Sequence, residues 1–180
     1  MSKQLKLGFI LAIALQAFIL VWMLISANLP LWFGQEIKVH TRPVDPRSLF
    51  RGNYAHLDYP LERMRMSKEQ PLYKKSLRKG EVIYLSLKQD KKGIYGANIL
   101  SLSPPENEVY LQGRVLRAYH TENTSNIRLK FANINAFFAP KEKALALETQ
   151  LRNGAVAVLM VSDSGKAILK TVAGNSASAN

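Results

Sequence analysis

The side chains that could do chemistry are few and poorly spaced for it. His40, His56 and His120 are the three histidines, and no two of them stand three or four residues apart, as ligands on one helix face would. A zinc site is not expected from them. Ser48 precedes a Gly52-Asn53 turn, and Lys88 falls on an apolar-rich run. A serine/lysine mechanism would need that serine beside a lysine whose pKa burial has lowered, and nothing in the spacing brings the two together. The chain has no cysteine, which removes thiolate zinc sites, iron–sulfur clusters, disulfides and a thiol nucleophile at once. No glycine-rich phosphate loop occurs. These residues predict no catalytic centre, no metal and no cofactor.

The densest patterning is Pro43-Val44-Asp45-Pro46-Arg47-Ser48-Leu49-Phe50-Arg51-Gly52-Asn53-Tyr54-Ala55-His56-Leu57-Asp58-Tyr59. Its first half predicts a short helix. Asp45 can cap with its carboxylate, Pro46 suits the first helical position, and Gly52 can take the left-handed conformation that closes the end. Leu49 and Phe50 would face the core, with Asp45 and Arg47 as a cap and a local ion pair. After Gly52 the chain turns into a strand on which Ala55, Leu57 and Tyr59 share one face and Tyr54, His56 and Asp58 the other. The corner formed by Pro43, Asp45, Pro46, Arg47, Arg51, Gly52, Asn53, Tyr54, Leu57 and Tyr59 is expected to serve folding and partner docking.

The elements that must position this corner are mostly strands. Short β-branched and aromatic runs separated by turn clusters predict a β-rich barrel or sandwich with one or two short helices. The candidate strands are 37–40, 54–59, 82–88, 94–102, 109–119, 127–138, 155–161 and 167–172. Asp90-Lys91-Lys92-Gly93, Pro104-Pro105-Glu106-Asn107 and Asp163-Ser164-Gly165 supply the Gly, Pro and Asx groups that tight connections need. Residues 61–79 read as a charged surface excursion with a helical turn or two. Residues 141–152 predict a helix, because Ala144, Leu147 and Leu151 recur at spacings of three and four. Residues 174–180, all Gly, Asn, Ser and Ala, predict a disordered tail.

The 43–59 passage resembles the signature of the GDYXXLXY family of membrane-anchored bacterial proteins. There a Pro, Asp, Pro, Arg segment leads into Gly-Asp-Tyr-x-x-Leu-x-Tyr. Gly52, Tyr54, Leu57 and Tyr59 match it, preceded by Pro43, Asp45, Pro46 and Arg47, while Asn53 stands where the family has aspartate. Asparagine keeps the turn-forming capacity and loses the charge. Weaker likeness extends over Gly113-Arg114-Val115, Phe137-Phe138-Ala139-Pro140 and the terminal hairpin. The resemblance implies a single-span envelope protein associated with a multi-pass membrane protein, and it brings no catalytic assignment. Gly52-Asn53 also looks faintly similar to the Gly-Asp turn of signal-peptidase-like folds, yet no Ser-x-Met-x-Pro-like passage precedes it, so a peptidase is the most distant alternative.

The N-terminus explains the anchor. Between Leu7 and Phe33 there is no charge, and the clearly polar side chains are Gln16, Ser26 and Asn28. A helix over 7–27 would be about 31 Å long, enough to cross a hydrocarbon core of about 30 Å. Asn28 and Pro30 predict its end, and Trp32 falls at an interface. Lys3 and Lys6 precede the span, and the next basic residue is Lys38, so the N-terminus is expected in the cytoplasm of a bacterial inner membrane and the rest outside. A cleaved signal peptide shares the basic start and apolar run, though its apolar region is usually only about 7–15 residues. Three segments follow: 1–33 as stub and span, 34–173 as the extracytoplasmic β-rich domain, and 174–180 as tail.

All 13 acidic residues and all but two of the 25 basic ones lie beyond the span, so this part carries most of a net charge of +12. Clustered positive charge attracts polyanions. Outside the cytoplasm nucleic acid is not expected, whereas anionic lipid headgroups and envelope polymers are within reach. The expectation is an accessory or interaction partner of an integral membrane protein, with binding of anionic envelope polymers or lipid as the alternative.

Overall fold

The computed structural model describes residues 3–44, 54–121, 124–138 and 154–174. A single long helix, α1 (Lys3–Phe33), leads after Gly34 into strand β1 (Gln35–Val44). The remaining elements are β2 (Tyr54–Asp58), a 3₁₀ turn η1 (Pro60–Glu62), β3 (Arg63–Met66), β4 (Val82–Gln89), β5 (Ile94–Ser101), β6 (Tyr110–His120), β7 (Ser125–Phe131), β8 (Ala136–Phe138), β9 (Ala155–Val161) and β10 (Ala167–Gly174). The β-rich expectation therefore holds. The predicted helix at 141–152, the helical half of the 43–59 passage and most of the tail lie outside the described residues.

α1 is apolar on every face, as a helix surrounded by hydrocarbon must be. Its segment Lys3–Asn28 is long and apolar enough to cross a membrane by length and composition, and none of it is buried against the rest of the protein; a signal sequence meets the same two criteria. The helix does not end at Asn28 as the sequence predicts but runs on to Phe33. Pro30 lacks the amide that would bond the Ser26 carbonyl, so one rung of the ladder is missing, yet three more helical residues follow it. One turn earlier the Asn28 side-chain amide donates to the Leu24 carbonyl at 2.8 Å.

The strands form one curled sheet in the order β10-β9-β1-β5-β4-β6-β7-β3, with β2 paired to the far end of β1 and β8 paired to β2. Every pairing is antiparallel except β1 with β5, which meet in parallel at Lys38 with Ile94 and Val39 with Tyr95. Besides β5, β1 serves two further neighbours because it is long. Gln35 to Thr41 pair with β9, and Arg42 to Val44 pair with β2. Register shifts at Leu85/Leu87, Val115/Arg117 and Leu169/Thr171 are the bulges by which a sheet sharpens its twist and curls.

The result is a half-barrel, closed at one seam by the β9–β10 turn rather than by a strand ladder. The Gln112 amide donates to the Gly165 carbonyl at 2.7 Å, and the Tyr110 hydroxyl donates to the Asp163 carbonyl at 2.6 Å. Gly165 has φ of 76° and lies under the Tyr110 ring, where a Cβ would collide with the ring's Cε2. Inside, Val39, Leu57, Tyr59, Ile83, Leu85, Leu100, Leu111 and Leu159 are fully buried, taking the alternate positions that a half-buried strand offers.

Residues 61–79 carry their charge on the surface, as expected, with every charged side chain but Glu62 exposed. They also contain the end of η1 and edge strand β3, and Leu61, Met66 and Leu72 are buried in the core. The run 127–138 is likewise two strands, because the chain leaves the ladder at Ala132–Asn135 before β8 begins.

Candidate functional site

β2 is held on both sides, by β1 through Arg42–Asp58, Pro43–Leu57 and Val44–His56, and by β8 through Tyr54–Phe138, Ala55–Phe137 and His56–Ala136. Its alternation sends Leu57 inward with no exposed surface, leaves His56 exposed and half-buries Asp58. Tyr59, just past the strand, is also fully buried. Pro60 then starts η1, whose tight turn brings Glu62 back beneath the strand it has just left.

The 133–135 loop stitches this corner together. Tyr59 donates its hydroxyl to the Ile134 carbonyl at 2.7 Å. Leu57 donates its amide to the Asn135 carbonyl at 2.8 Å. The Asn135 side-chain amide donates to Glu62 Oε1 at 2.7 Å and, more distantly, to the Leu57 carbonyl at 3.4 Å. From β1, the Thr41 hydroxyl donates to the Asp58 carbonyl at 3.1 Å. Buried polar groups cost stability unless they are paired, and in this corner each named one has a partner.

Electrostatics follow from that burial. Desolvation raises the Tyr59 hydroxyl well above its ordinary value, opposed by a hydrogen bond with Thr41 and reinforced by the Glu62 charge. Tyr59 therefore stays protonated and remains a donor. Glu62, only 8% exposed, is also pushed above the usual carboxylate value. Burial is the main cause, the Asn135 hydrogen bond opposes it, the Asp58 charge adds to it, and His56 and Arg128 work against it. Outside the pocket of paired groups, Arg63 meets Asp58 at 3.0 Å on the surface.

The histidines, Ser48 and Lys88, from which no site is expected, fall as follows. Lys88 is exposed on β4, and Ser48 lies outside the described residues. His40 and His56 are exposed on β1 and β2. His120 is occupied at both nitrogens, 2.7 Å from the Ser125 hydroxyl and 3.0 Å from the Lys75 carbonyl. A carbonyl only accepts, so Nε2 carries the proton and Nδ1 faces Ser125. Among the described residues no three histidine or carboxylate side chains converge as metal ligands.

Of the motif, Leu57 and Tyr59 are placed with their side chains, and Pro43 and Tyr54 by their backbone. Asp45, Pro46, Arg47, Arg51, Gly52 and Asn53 lie outside the described residues. Residues 16–172 match the family described as GDYXXLXY protein. The chain belongs to the GDYXXLXY family. In this member the signature's last two positions, Leu57 and Tyr59, are core residues, and the signature tyrosine anchors a loop 75 residues further along the chain. No curated protein and no solved structure matches the chain. Sequence reasoning missed Glu62 and Asn135. A carboxylate three residues after a buried tyrosine, behind a turn-starting proline, is the one local sign that Glu62 turns inward.

Proposed function

We propose that this GDYXXLXY-family protein is a single-span envelope protein, anchored by α1 in a bacterial cytoplasmic membrane with its N-terminus inside. Its β-domain acts as an accessory partner of a multi-pass membrane protein. The observation that carries this reading is α1 itself. Its segment Lys3–Asn28 is not buried against the rest of the protein, and the helix meets β1 after the single residue Gly34, so the domain is tethered with almost no slack. Lys3 and Lys6 at its start, with no further basic residue until Lys38, favour the cytoplasmic N-terminus. A span that is apolar all round also offers packing surface to neighbouring helices.

The reading is tested by purifying the full chain in mild detergent after crosslinking. Recovery of one multi-pass protein at near-equal abundance, surviving moderate salt, is expected, because packed helices are not held by screened surface charge. A reporter active only outside the cytoplasm, fused after Asn180, should be active. A mature protein beginning near Asn28 would turn the anchor into a secretory signal and overturn the tether. Binding of anionic envelope polymers or lipid headgroups is the second reading, favoured by the basic excess beyond the span.

A further inference from the structure

The outer face of β3, β7 and β6 sets arginines directly opposite one another. Arg63 on β3 is in register with Arg128 on β7, and Arg128 is in register with Arg117 on β6. One rung across three strands is therefore entirely arginine. Neighbouring strands lie about 4.8 Å apart, so three guanidinium stems rise within about 10 Å of each other. Ile127 and Leu129, which alternate with Arg128, are buried, and all three arginines are exposed, which puts them on one surface. Arg65 joins them in lining a shallow depression of about 550 Å³ that no acidic residue borders. On the side away from β3's end, Arg114 stands opposite Lys130 and extends the same charge.

Like charges directly opposite each other weaken a sheet, and counter-charges stand by Arg63 and Arg128 but not by Arg117. Asp58 pairs with Arg63, and Glu62 acts on Arg128 from below. Among the described residues Arg65 and Arg117 have no ion pair. Arginine's planar fork matches the oxygens of phosphate two at a time, and it holds its charge at any relevant pH. A rung of such forks is suited to a ligand with several oxyanions close together.

We propose that the Arg63–Arg128–Arg117 rung binds a ligand carrying adjacent phosphate groups, of which pyrophosphate is the simplest, presented by a soluble or polymer-borne molecule. This rests on the second reading above and gives it a place and a chemistry. The protein's own bilayer is the wrong source, for a reason of direction. β6 runs parallel to β1 through β5 and β4, so it leads away from the end at which α1 enters. Tyr110 begins β6 against the β9–β10 turn, and Arg117 is seven residues further on. At about 3.3 Å per residue that is roughly 23 Å along the strand, and even at a barrel strand's tilt of about 35–45° the rise exceeds a Debye length of about 8–10 Å.

The test titrates pyrophosphate, and inorganic phosphate for comparison, into the full chain held in phosphatidylcholine nanodiscs at low salt. Pyrophosphate should bind tighter than phosphate. The pair Arg117→Gln/Arg128→Gln should weaken it about tenfold or more, while Lys91→Gln/Lys92→Gln, which removes equal charge from the exposed β4–β5 turn, should change it by less than about twofold. Arg117→Lys/Arg128→Lys keeps the charge and removes the forks. It should also bind more weakly than the parent, which keeps the proposal open to refutation if the glutamine pair melts early. An equal loss from both glutamine pairs would show diffuse attraction and overturn the site while leaving the second reading alive. A parent that binds no pyrophosphate overturns the site, and the second reading then stands or falls on the salt-dependent binding of the full chain to anionic polymers or vesicles. Discs containing phosphatidylglycerol should leave pyrophosphate affinity within about twofold; strong suppression would make lipid the occupant and overturn the proposal.

Discussion

The corner around Tyr59 and the arginine rung adjoin at Asp58 and Arg63, yet they are built on opposite rules. In the corner, polar groups point inward and each finds a partner, so that Tyr59, Asn135 and Glu62 tie η1 and β2 to a loop more than 70 residues away. On the rung, charges point outward and oppose their own kind. The first arrangement lowers the energy of the fold; the second raises it. The difference separates residues that specify the shape from residues that the fold merely tolerates, and it supplies measurements by which either assignment can fail.

The largest effect is expected at Tyr59. Tyr59→Ala empties a fully buried aromatic site and should cost about 3–5 kcal/mol. Tyr59→Phe keeps the ring and leaves the buried Ile134 carbonyl unpaired, for about 1–3 kcal/mol. Thermal melts of the full chain in detergent read both. Phe melting like the parent would mean that the hydroxyl does not tie the loop down and that the corner is held by packing alone. Asn135→Ala should come next, at about 1–2 kcal/mol, because it strips Glu62 of its donor while the backbone bond from Leu57 survives.

How much of this contrast the amino-acid sequence discloses depends on whether the controlling contact is local. Period-two alternation is local, so Leu57 and Tyr59 are legible as inward residues, and strands β4, β5, β6, β9 and β10 fall within a few residues of where their β-branched runs place them. β3 is not legible. Arg63-Met64-Arg65-Met66 has no β-branched residue, sits between prolines, and becomes a strand only because β7 offers it an edge. Asn135 reaches Glu62 across 73 residues, a distance over which no spacing rule operates. The rung is hidden for the same reason, since Arg63, Arg117 and Arg128 meet only through register. The extension of α1 beyond Asn28 escapes prediction differently, because proline marks a usual stop and not an obligatory one.

Glu62 gives a smaller effect with a definite sign. Its folded pKa lies above the ordinary value of 4.5, so the folded chain holds that proton more tightly than the unfolded chain does. The stability it contributes is complete below about pH 4.5 and is lost as pH rises through the folded value. Glu62→Gln keeps an oxygen for the Asn135 amide and has no charge to bury. Compared with the parent, it should therefore be level in mild acid and more stable near neutrality. Subtracting the two melting curves across pH removes the opposite trends of exposed carboxylates such as Asp90, whose pKa is lowered chiefly by the Ile94 amide. A difference that shrinks toward neutral pH would place Glu62 in water and remove it from the corner.

The smallest change in stability is expected at Asp58, where corner and rung touch. Its backbone carbonyl serves the corner by accepting from Thr41, and its carboxylate serves the rung by pairing with Arg63, whose side chain is 59% exposed. An exposed pair of this kind contributes about 0.2–1 kcal/mol and is weakened by salt. Asp58→Asn leaves the carbonyl in place, so the melt should move by no more than that and the shift should fade at high salt. The same substitution frees Arg63 to face the solvent with Arg128 and Arg117, and pyrophosphate affinity should rise about two- to threefold, in proportion to a surface charge pair of that size. The two readouts divide the molecule cleanly. A large, salt-insensitive loss of stability would make Asp58 part of the buried corner, and an unchanged affinity would remove Arg63 from the anion-binding rung and leave the like-charged register without that use.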